Sequence, residues 1–293
     1  IDRFENKLNA QEYQNEIDNV IIYFERVIEA LKKNTNAIIV INNFEINPFP
    51  IGGILETQHL NSRINIIKML NDKILKIVST IKNVYIFDVN LIISRIGYNN
   101  FYDDRNFHLS KNPFTNIALR NIAFESVKYI SSLRGLSKKC IVLDCDNTLW
   151  GGVLGEEGIM GIACGSNSPG SFFLNFQRKL LQLKQNGVVL AINSKNNFED
   201  VEEVFKKHPE ILLSVDDFVS MKINWNDKSS NIIEISEEIN ISLEHIVFID
   251  DSEFEIELVR KTLPQVETIL FPSDYSQINN IFDERDLFNN LSF

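Results

Sequence analysis

A short apolar run that ends in two carboxylates gives the first strong indication of architecture. The run, Cys140–Leu143, is followed directly by Asp144 and two residues later by Asp146, within the stretch KKCIVLDCDNTLWGGVLG. Four apolar residues bounded by charge are typical of a strand buried on both faces of a parallel sheet. Two adjacent buried carboxylates need a compensating cation or proton, so the pattern favours a functional site. The alternative interpretation is a strand followed by an Asx turn.

Helical and strand patterns alternate along the whole chain, which is the layout of an α/β protein. Strands are predicted at 37–41, 84–89, 140–143, 187–192, 211–214, 217–220, 245–249 and 266–271. Helices are predicted at 17–31, 60–81, 114–133, 171–185, 197–207, 231–238, 254–262 and 276–282, with a loop at 42–53 and mixed structure at 91–112. We therefore predict two α/β domains, 1–136 and 137–293, the second a doubly wound parallel sheet. Because residues 1–136 contain only two clear strands, we expect the natural chain to begin upstream of Ile1.

The overall charge and the cysteines narrow the classes of partner and compartment. A net charge of −11 argues against a nucleic-acid backbone or an anionic membrane surface as the main partner. No signal peptide and no apolar run of membrane-spanning length occurs. The three cysteines show no C-x-x-C spacing, which is typical of a protein in the reducing cytoplasm.

Three predicted strands of the second half end in polar residues: Asp144 and Asp146, then Ser194, then Asp250 and Asp251. In a doubly wound sheet such strand ends converge on one crevice. Taken alone, each later group has an ordinary alternative, since Ser194 would more often be a capping residue and Asp250–Asp251 would cap the next helix. The ordered set is stronger evidence for a site than any member.

The set is suited to phosphoryl transfer with Mg²⁺ as cofactor. Asp144 is placed to attack an electrophile, and Asp146 to exchange a proton with the leaving group. Asp250 would complete a site of hard oxygen ligands. The hydroxyl of Ser194 and the ammonium of Lys228 would hold the oxygens of the transferring group, where electrostatic stabilisation contributes most. Lys228 on its own would be a solvated charge.

This order of motifs resembles the haloacid dehalogenase (HAD) superfamily. The resemblance implies that Asp144 is the nucleophile and that Asp146 is the acid/base. It implies a Mg²⁺ site formed by Asp144, the backbone carbonyl of Asp146 and Asp250. It further implies that the phosphate is bound by Asn147, Thr148, Ser194, Lys195 and Lys228. The supporting acidic residues would be Asp251 and Glu255.

Longer segments resemble one branch of that superfamily, the FkbH-like subfamily IIIC. They are DCDNTLWGGVLGEEG at 144–158, SPGSFFLNFQ at 168–177, SKNN at 194–197, INWNDKSSNI at 223–232 and VFIDDSEFE at 247–255. Here Ser252 and Glu253 replace an Asn-Pro that is usual in the fourth motif. Asn193 stands where a cysteine is common, so a cysteine-bound acyl group at that position is excluded. Cys145 is predicted to be a core residue, because strand faces alternate.

The branch implies a partner and a substrate. FkbH-like proteins take a phosphoglyceryl group from the glycolytic acyl phosphate 1,3-bisphosphoglycerate, remove the phosphate, and deliver a glyceryl thioester to an acyl carrier protein, as in polyketide biosynthesis. Only 47 residues separate Asp146 from Ser194, and 33 separate Ser194 from Lys228, so neither interval has room for a full cap domain. We therefore expect an open site, with 151–170 as a flap.

The first domain is expected to resemble the SGNH-hydrolase-like domain that commonly precedes this branch, and to be non-catalytic. Residues 1–136 contain neither a Gly-Asp-Ser nor an Asp-x-x-His. Three functions stay open from the sequence: a glyceryl transferase/phosphatase of the FkbH-like type, a general HAD phosphatase, and a non-catalytic assembly domain of a larger synthase. The complete motif set argues against the third.

Overall fold

The computed structural model describes residues 10–50, 52–282, 287–289 and 291. It divides the chain into two compact units, Ile1–Val127 and Lys128–Phe293. Among the described residues, no helix combines the length and the apolar character that crossing a bilayer requires.

The first unit combines a pair of parallel strands with helices. Its elements in chain order are α1 (Ala10–Asn34), β1 (Ile39–Asn42), α2 (Arg63–Val78), β2 (Val84–Phe87), α3 (Val89–Ile96), α4 (Tyr98–Phe101), α5 (Asp104–Ser110) and the start of α6 (Asn116–Leu133). Strands β1 and β2 pair in register from Ile39 opposite Val84. Their apolar side chains pack on Ile28 of α1 and Ile74 of α2.

Helix starts in the first unit follow capping chemistry. The Ser62 side chain accepts a hydrogen bond from the backbone of Asn65, which begins α2. Asp88 does the same for the first turn of α3. The segment predicted as mixed, 91–112, is thus mainly three short helices, α3 to α5.

The second unit is a five-stranded parallel sheet with helices on both faces. Its elements are β3 (Cys140–Leu143), α7 (Leu154–Glu157), α8 (Gly170–Gln185), β4 (Val189–Ser194), α9 (Phe198–Lys207), β5 (Phe218–Ile223), α10 (Lys228–Ile239), β6 (Ile246–Asp250), α11 (Glu253–Thr262) and β7 (Glu267–Leu270). The strands lie in the order β5-β4-β3-β6-β7, so β3 is central. Every pairing between neighbours is parallel.

Side chains of β3 alternate between two hydrophobic clusters. Ile141 and Leu143 pack in the cluster that includes residues of α8 and α9. Cys140 and Val142 pack in the cluster that includes residues of α10 and α11. Because all four side chains are fully buried, β3 is covered on both faces, as its unbroken apolar sequence predicted. The predicted doubly wound α/β fold class is therefore confirmed.

Two predicted elements of the second unit differ from the structure. Residues 211–214 form no strand, because the backbone N–H groups of Leu212 and Leu213 bind the side chain of the buried Gln177 instead of a neighbouring strand. A 3-10 turn at Val215–Asp217 then leads into β5. The predicted closing helix is a 3-10 helix at Tyr275–Asn280.

Candidate active site

Three neighbouring strands bring the predicted site residues to one edge of the sheet. Asp144 follows β3 directly, and its backbone N–H donates to the carbonyl of Ile249 in β6 at 3.0 Å. Ser194 and Asp250 are the last residues of β4 and β6, the strands on either side of β3. The parallel registers therefore place these carboxyl ends side by side.

Lys228 joins two of these strand ends through buried ion pairs. Its Nζ lies 2.8 Å from Oδ1 of Asp144 and 2.5 Å from Oδ2 of Asp250. Burial alone would lower the pKa of Lys228, but the charges of Asp144 and Asp250 outweigh it and raise the pKa. Since the lysine is only 3% exposed, it stays charged between two carboxylates that would otherwise be uncompensated.

Asp144, Asp250 and Asp251 form a cluster of hard oxygen ligands. One oxygen from each lies within 4.8 Å of the other two, a grouping that could hold a metal ion. Burial and the negative charge of Asp144 raise the pKa of Asp250 to about 6, against the opposing effect of Lys228. Burial also raises the pKa of Asp251, and Asp144 adds to this. An all-oxygen set with such mutual repulsion fits Mg²⁺.

Asp146 is held by three donors. Its Oδ1 accepts a hydrogen bond from Nε1 of Trp150 at 2.9 Å and another from the backbone N–H of Leu154 at 3.1 Å. Its Oδ2 accepts from Nδ2 of Asn196 at 3.1 Å. Asp146 takes no part in the cluster of three carboxylates, so its side chain is free for a different task from that of Asp144.

The turn that follows Asp146 contains Asn147 and Thr148. Asn147 has a φ of 51°, which asparagine tolerates better than most residues. Its Oδ1 accepts from the backbone N–H of Gly152 at 2.8 Å and closes the turn. Thr148 is fully buried, and its hydroxyl has no hydrogen-bond partner within the described part of the chain.

Ser194 is the last residue of β4, and Lys195 follows it directly. The Ser194 hydroxyl is buried and accepts a hydrogen bond from Nδ2 of Asn196 at 3.2 Å. Lys195 pairs at 2.6 Å with Glu255 from the first turn of α11. The second carboxylate oxygen of Glu255 is buried without a hydrogen-bond partner in the described chain. The predicted phosphate ligand Lys195 and the predicted supporting residue Glu255 therefore form an ion pair with each other.

Three buried asparagine contacts that the sequence did not indicate fix the start of α10. Nδ2 of Asn193 donates to the backbone carbonyl of Lys228 at 2.9 Å. Oδ1 of Asn193 accepts from Asn231 at 3.0 Å, and Asn231 also donates to Asn224 at 3.0 Å. Both bonds of Asn193 are buried, so losing Asn193 would leave polar groups unsatisfied. The signal available in the sequence was Asn193 itself, a polar residue near the end of an otherwise apolar strand.

The cysteines lie in the core. Cys140, Cys145 and Cys164 are all free and buried. Burial, reinforced by the charge of Asp144, raises the pKa of the Cys145 thiol well above its usual value. A thiol held in its protonated form is a poor nucleophile, which agrees with the predicted core role of Cys145.

Comparison with known proteins points to one solved structure over nearly the whole chain. No protein-family model and no curated protein matches the sequence. The N-terminal part of a Bacteroides fragilis protein that contains a phosphatase domain, solved in complex with Mg, matches with a TM-score of 0.84 and 27% identity. The match covers 98% of this chain and 76% of that chain.

Two further structures match about half of the chain. One is 3-deoxy-D-manno-octulosonate 8-phosphate phosphatase from Moraxella catarrhalis, with a TM-score of 0.33 and 17% identity over 54% of this chain and 91% of that chain. The other is a HAD family enzyme from Bacteroides thetaiotaomicron, with a TM-score of 0.33 and 16% identity over 47% of this chain and 96% of that chain. The near-complete match remains the informative one. The chain is thus similar, over nearly its whole length, to a protein that contains a phosphatase domain.

Proposed function

We propose that this chain is a Mg²⁺-dependent phosphatase or phosphotransferase of the HAD type that forms an aspartyl-phosphate on Asp144. The observation that carries the proposal is the buried meeting of Asp144, Asp250 and Lys228 at the carboxyl edge of the sheet. Two carboxylates and an ammonium in one buried place are costly for folding, so their presence together points to chemistry.

The solved relative supports the same class of reaction. It contains a phosphatase domain and was crystallised with Mg. This relative and the carboxylate cluster support the predictions of a HAD-type hydrolase and of Mg²⁺ as its cofactor. When bound, Mg²⁺ would be held by Asp144 and Asp250, with Asp251 close by, and it would offset negative charge during the reaction.

Each site residue has a task that its position allows. A carboxylate oxygen of Asp144 attacks phosphorus, and the bond to the leaving oxygen breaks as Asp146 gives that oxygen a proton. In the second step a water attacks the phosphorus of the aspartyl-phosphate and gives its proton to Asp146. Inorganic phosphate leaves, and the Asp144 carboxylate is restored. The residues that would hold phosphoryl oxygens are Asn147, Thr148, Ser194, Lys195 and Lys228.

The unpartnered Thr148 hydroxyl supports this assignment of phosphate ligands. A buried hydroxyl without a hydrogen-bond partner is unfavourable, and an incoming phosphoryl oxygen would satisfy it. Ser194 is the last residue of the neighbouring strand β4, and its hydroxyl accepts a hydrogen bond from Asn196.

For the substrate, we propose a phosphorylated small molecule, specifically the acyl phosphate 1,3-bisphosphoglycerate with an acyl carrier protein as acceptor. In this reaction the thiol of the carrier would displace the C1 phosphate from the acyl carbon to form the thioester, and the C3 phosphate ester would be hydrolysed through Asp144. The resemblance of 144–158 and 194–197 to the FkbH-like branch supports this choice. The described segments of the second unit also support it, because no cap domain is inserted in them: α7, α8 and loops lie between β3 and β4, and α9 and a 3-10 turn lie between β4 and β5. Residues 1–136 are proposed to be an SGNH-like, non-catalytic domain.

The substrate proposal is tested by two parallel incubations with Mg²⁺. One contains simple phosphomonoesters and measures phosphate release. The other contains 1,3-bisphosphoglycerate and the carrier protein, and the carrier is weighed by mass spectrometry. Glyceryl transfer predicts a carrier heavier by one glyceryl group. Brisk phosphate release with no mass gain on any carrier tested would favour a general phosphatase, and no phosphate release in either incubation would contradict both.

The affinity of the metal-free protein for Mg²⁺ is expected to fall as the pH is lowered through about 6. Since the pKa of Asp250 is raised to about 6, its carboxyl group takes up a proton below that pH and no longer binds the metal. An unperturbed aspartate would stay ionised down to about pH 4. Calorimetric titration measures this. An affinity that is equal at about pH 7 and about pH 5 would contradict the expectation.

A further inference from the structure

The segment that follows Asp146 returns to contact its side chain. Trp150 is fully buried, with its ring packed edge-on against Phe205 at 6.0 Å between centroids. The preceding backbone carbonyl, that of Leu149, accepts a hydrogen bond from the buried Gln177 at 2.8 Å. The indole N–H of Trp150 is therefore fixed in direction before any substrate binds, which is what a preorganised donor requires.

The two carboxylate oxygens of Asp146 are in different situations. Oδ1 receives two donors, the indole of Trp150 and the backbone of Leu154, so its hydrogen-bonding capacity is filled. Among the described residues, Oδ2 receives only the amide of Asn196, which lies 3.2 Å from the Ser194 hydroxyl as well. A proton on this carboxyl group therefore has room only on Oδ2, the oxygen on the side of Ser194.

We propose that Trp150 and Asn196 are positioning residues that hold Asp146 so that Oδ2 carries the proton to and from the reacting phosphoryl group. This inference rests on the proposed function, because it assigns the orientation of the same acid/base. Trp150 occupies Oδ1 and thereby selects the protonated atom. Asn196 ties Oδ2 to the serine that is proposed to hold a phosphoryl oxygen.

The need for a proton from Asp146 depends on the leaving group of the substrate. Protonation matters greatly for an alkyl phosphate, whose alkoxide is a poor leaving group, and little for p-nitrophenyl phosphate. If Asp146 loses its fixed orientation, the rate of hydrolysis should therefore fall more for the alkyl phosphate than for p-nitrophenyl phosphate. The parameter kcat/KM is the correct one to compare, because it covers steps up to phosphoryl transfer and leaves out hydrolysis of the aspartyl-phosphate.

The kinetic test compares Trp150→Phe and Asn196→Ala with the unmodified protein on glycerol phosphate and p-nitrophenyl phosphate. We expect kcat/KM for glycerol phosphate to fall about tenfold further than kcat/KM for p-nitrophenyl phosphate in each variant. The matched controls are Trp225→Phe, an exposed tryptophan, and Asn197→Ala, the exposed neighbour of Asn196; both should keep the ratio of the unmodified protein.

The outcomes separate this inference from the proposed function. Equal losses on the two substrates, or no loss, would overturn the positioning roles while leaving the phosphatase proposal intact. If the unmodified protein hydrolyses neither ester, the proposed function fails and takes this inference with it. Should Trp150→Phe not fold, Asn196→Ala still decides the question, since Asn196 lies in a partly exposed loop.

A spectroscopic test needs no activity. The chain has two tryptophans, so its NMR spectrum contains two indole N–H resonances, of which only the buried one should exchange slowly. Trp150→Phe assigns that resonance. Asp146→Ala is expected to shift it and to leave the resonance of Trp225 in place. An unshifted Trp150 resonance in Asp146→Ala would overturn the contact on which the proposal depends.

Discussion

Replacing Asp144 with asparagine is expected to lower phosphomonoester turnover by about 10⁴-fold or more, because an amide oxygen cannot form the aspartyl-phosphate. The fold should persist. An amide oxygen can still accept the hydrogen bond from Lys228, now 2.8 Å from Asp144, and one buried negative charge is removed. Steady-state kinetics measures the turnover, and thermal unfolding measures the fold.

The control for this substitution is Asp216→Asn, the same chemical change at an exposed carboxylate. It should leave both turnover and unfolding temperature unchanged. Full activity in Asp144→Asn would contradict the nucleophile assignment. A loss of activity accompanied by loss of folding would call for the phosphoenzyme measurement described at the end.

Replacing Lys228 with methionine is expected to destabilise the protein by about 3 kcal/mol, because two buried carboxylates lose their shared counter-charge. It should also reduce activity, since the ammonium is proposed to hold a phosphoryl oxygen. The cost should shrink on addition of Mg²⁺, which would take over the charge compensation. Chemical denaturation with and without Mg²⁺ therefore tests Lys228 and the metal site together.

Two further variants make the Lys228 result specific. Lys206→Met removes an exposed lysine that pairs with Glu202, and such a surface pair contributes only about 0 to 1 kcal/mol. The double variant Lys228→Met/Asp250→Asn should recover much of the lost stability, because it also removes the negative charge of Asp250, which Lys228→Met alone leaves without its counter-charge. A Lys228→Met protein as stable as the unmodified one, with or without Mg²⁺, would contradict the charge balance described for the site.

The strands that carry the site could be predicted because their signal is local. The apolar run before Asp144 and the one before Asp250 are unbroken, as strands covered on both faces require, and both are central in the sheet. The convergence of parallel strand ends predicted that Asp144 and Asp250 meet, and Lys228 was assigned to the same site as a phosphoryl ligand. These three side chains are in contact. Their chemical roles remain proposals.

What the sequence did not indicate depends on contacts between distant residues. The strand predicted at 211–214 is absent because the backbone there binds Gln177, more than thirty residues earlier. Asn196 reaches Asp146 from a loop that is 50 residues away in sequence. Such pairings are set by tertiary structure, which no periodicity of apolar residues encodes.

Identification of the phosphorylated residue tests the central proposal most directly. The protein is mixed with substrate and Mg²⁺, quenched in acid during turnover and digested, and its peptides are weighed. An aspartyl-phosphate mechanism predicts one phosphoryl group on the peptide that contains Asp144, and none in Asp144→Asn. A phosphoryl group on another residue, or rapid turnover with no phosphorylated peptide at any quench time, would contradict it.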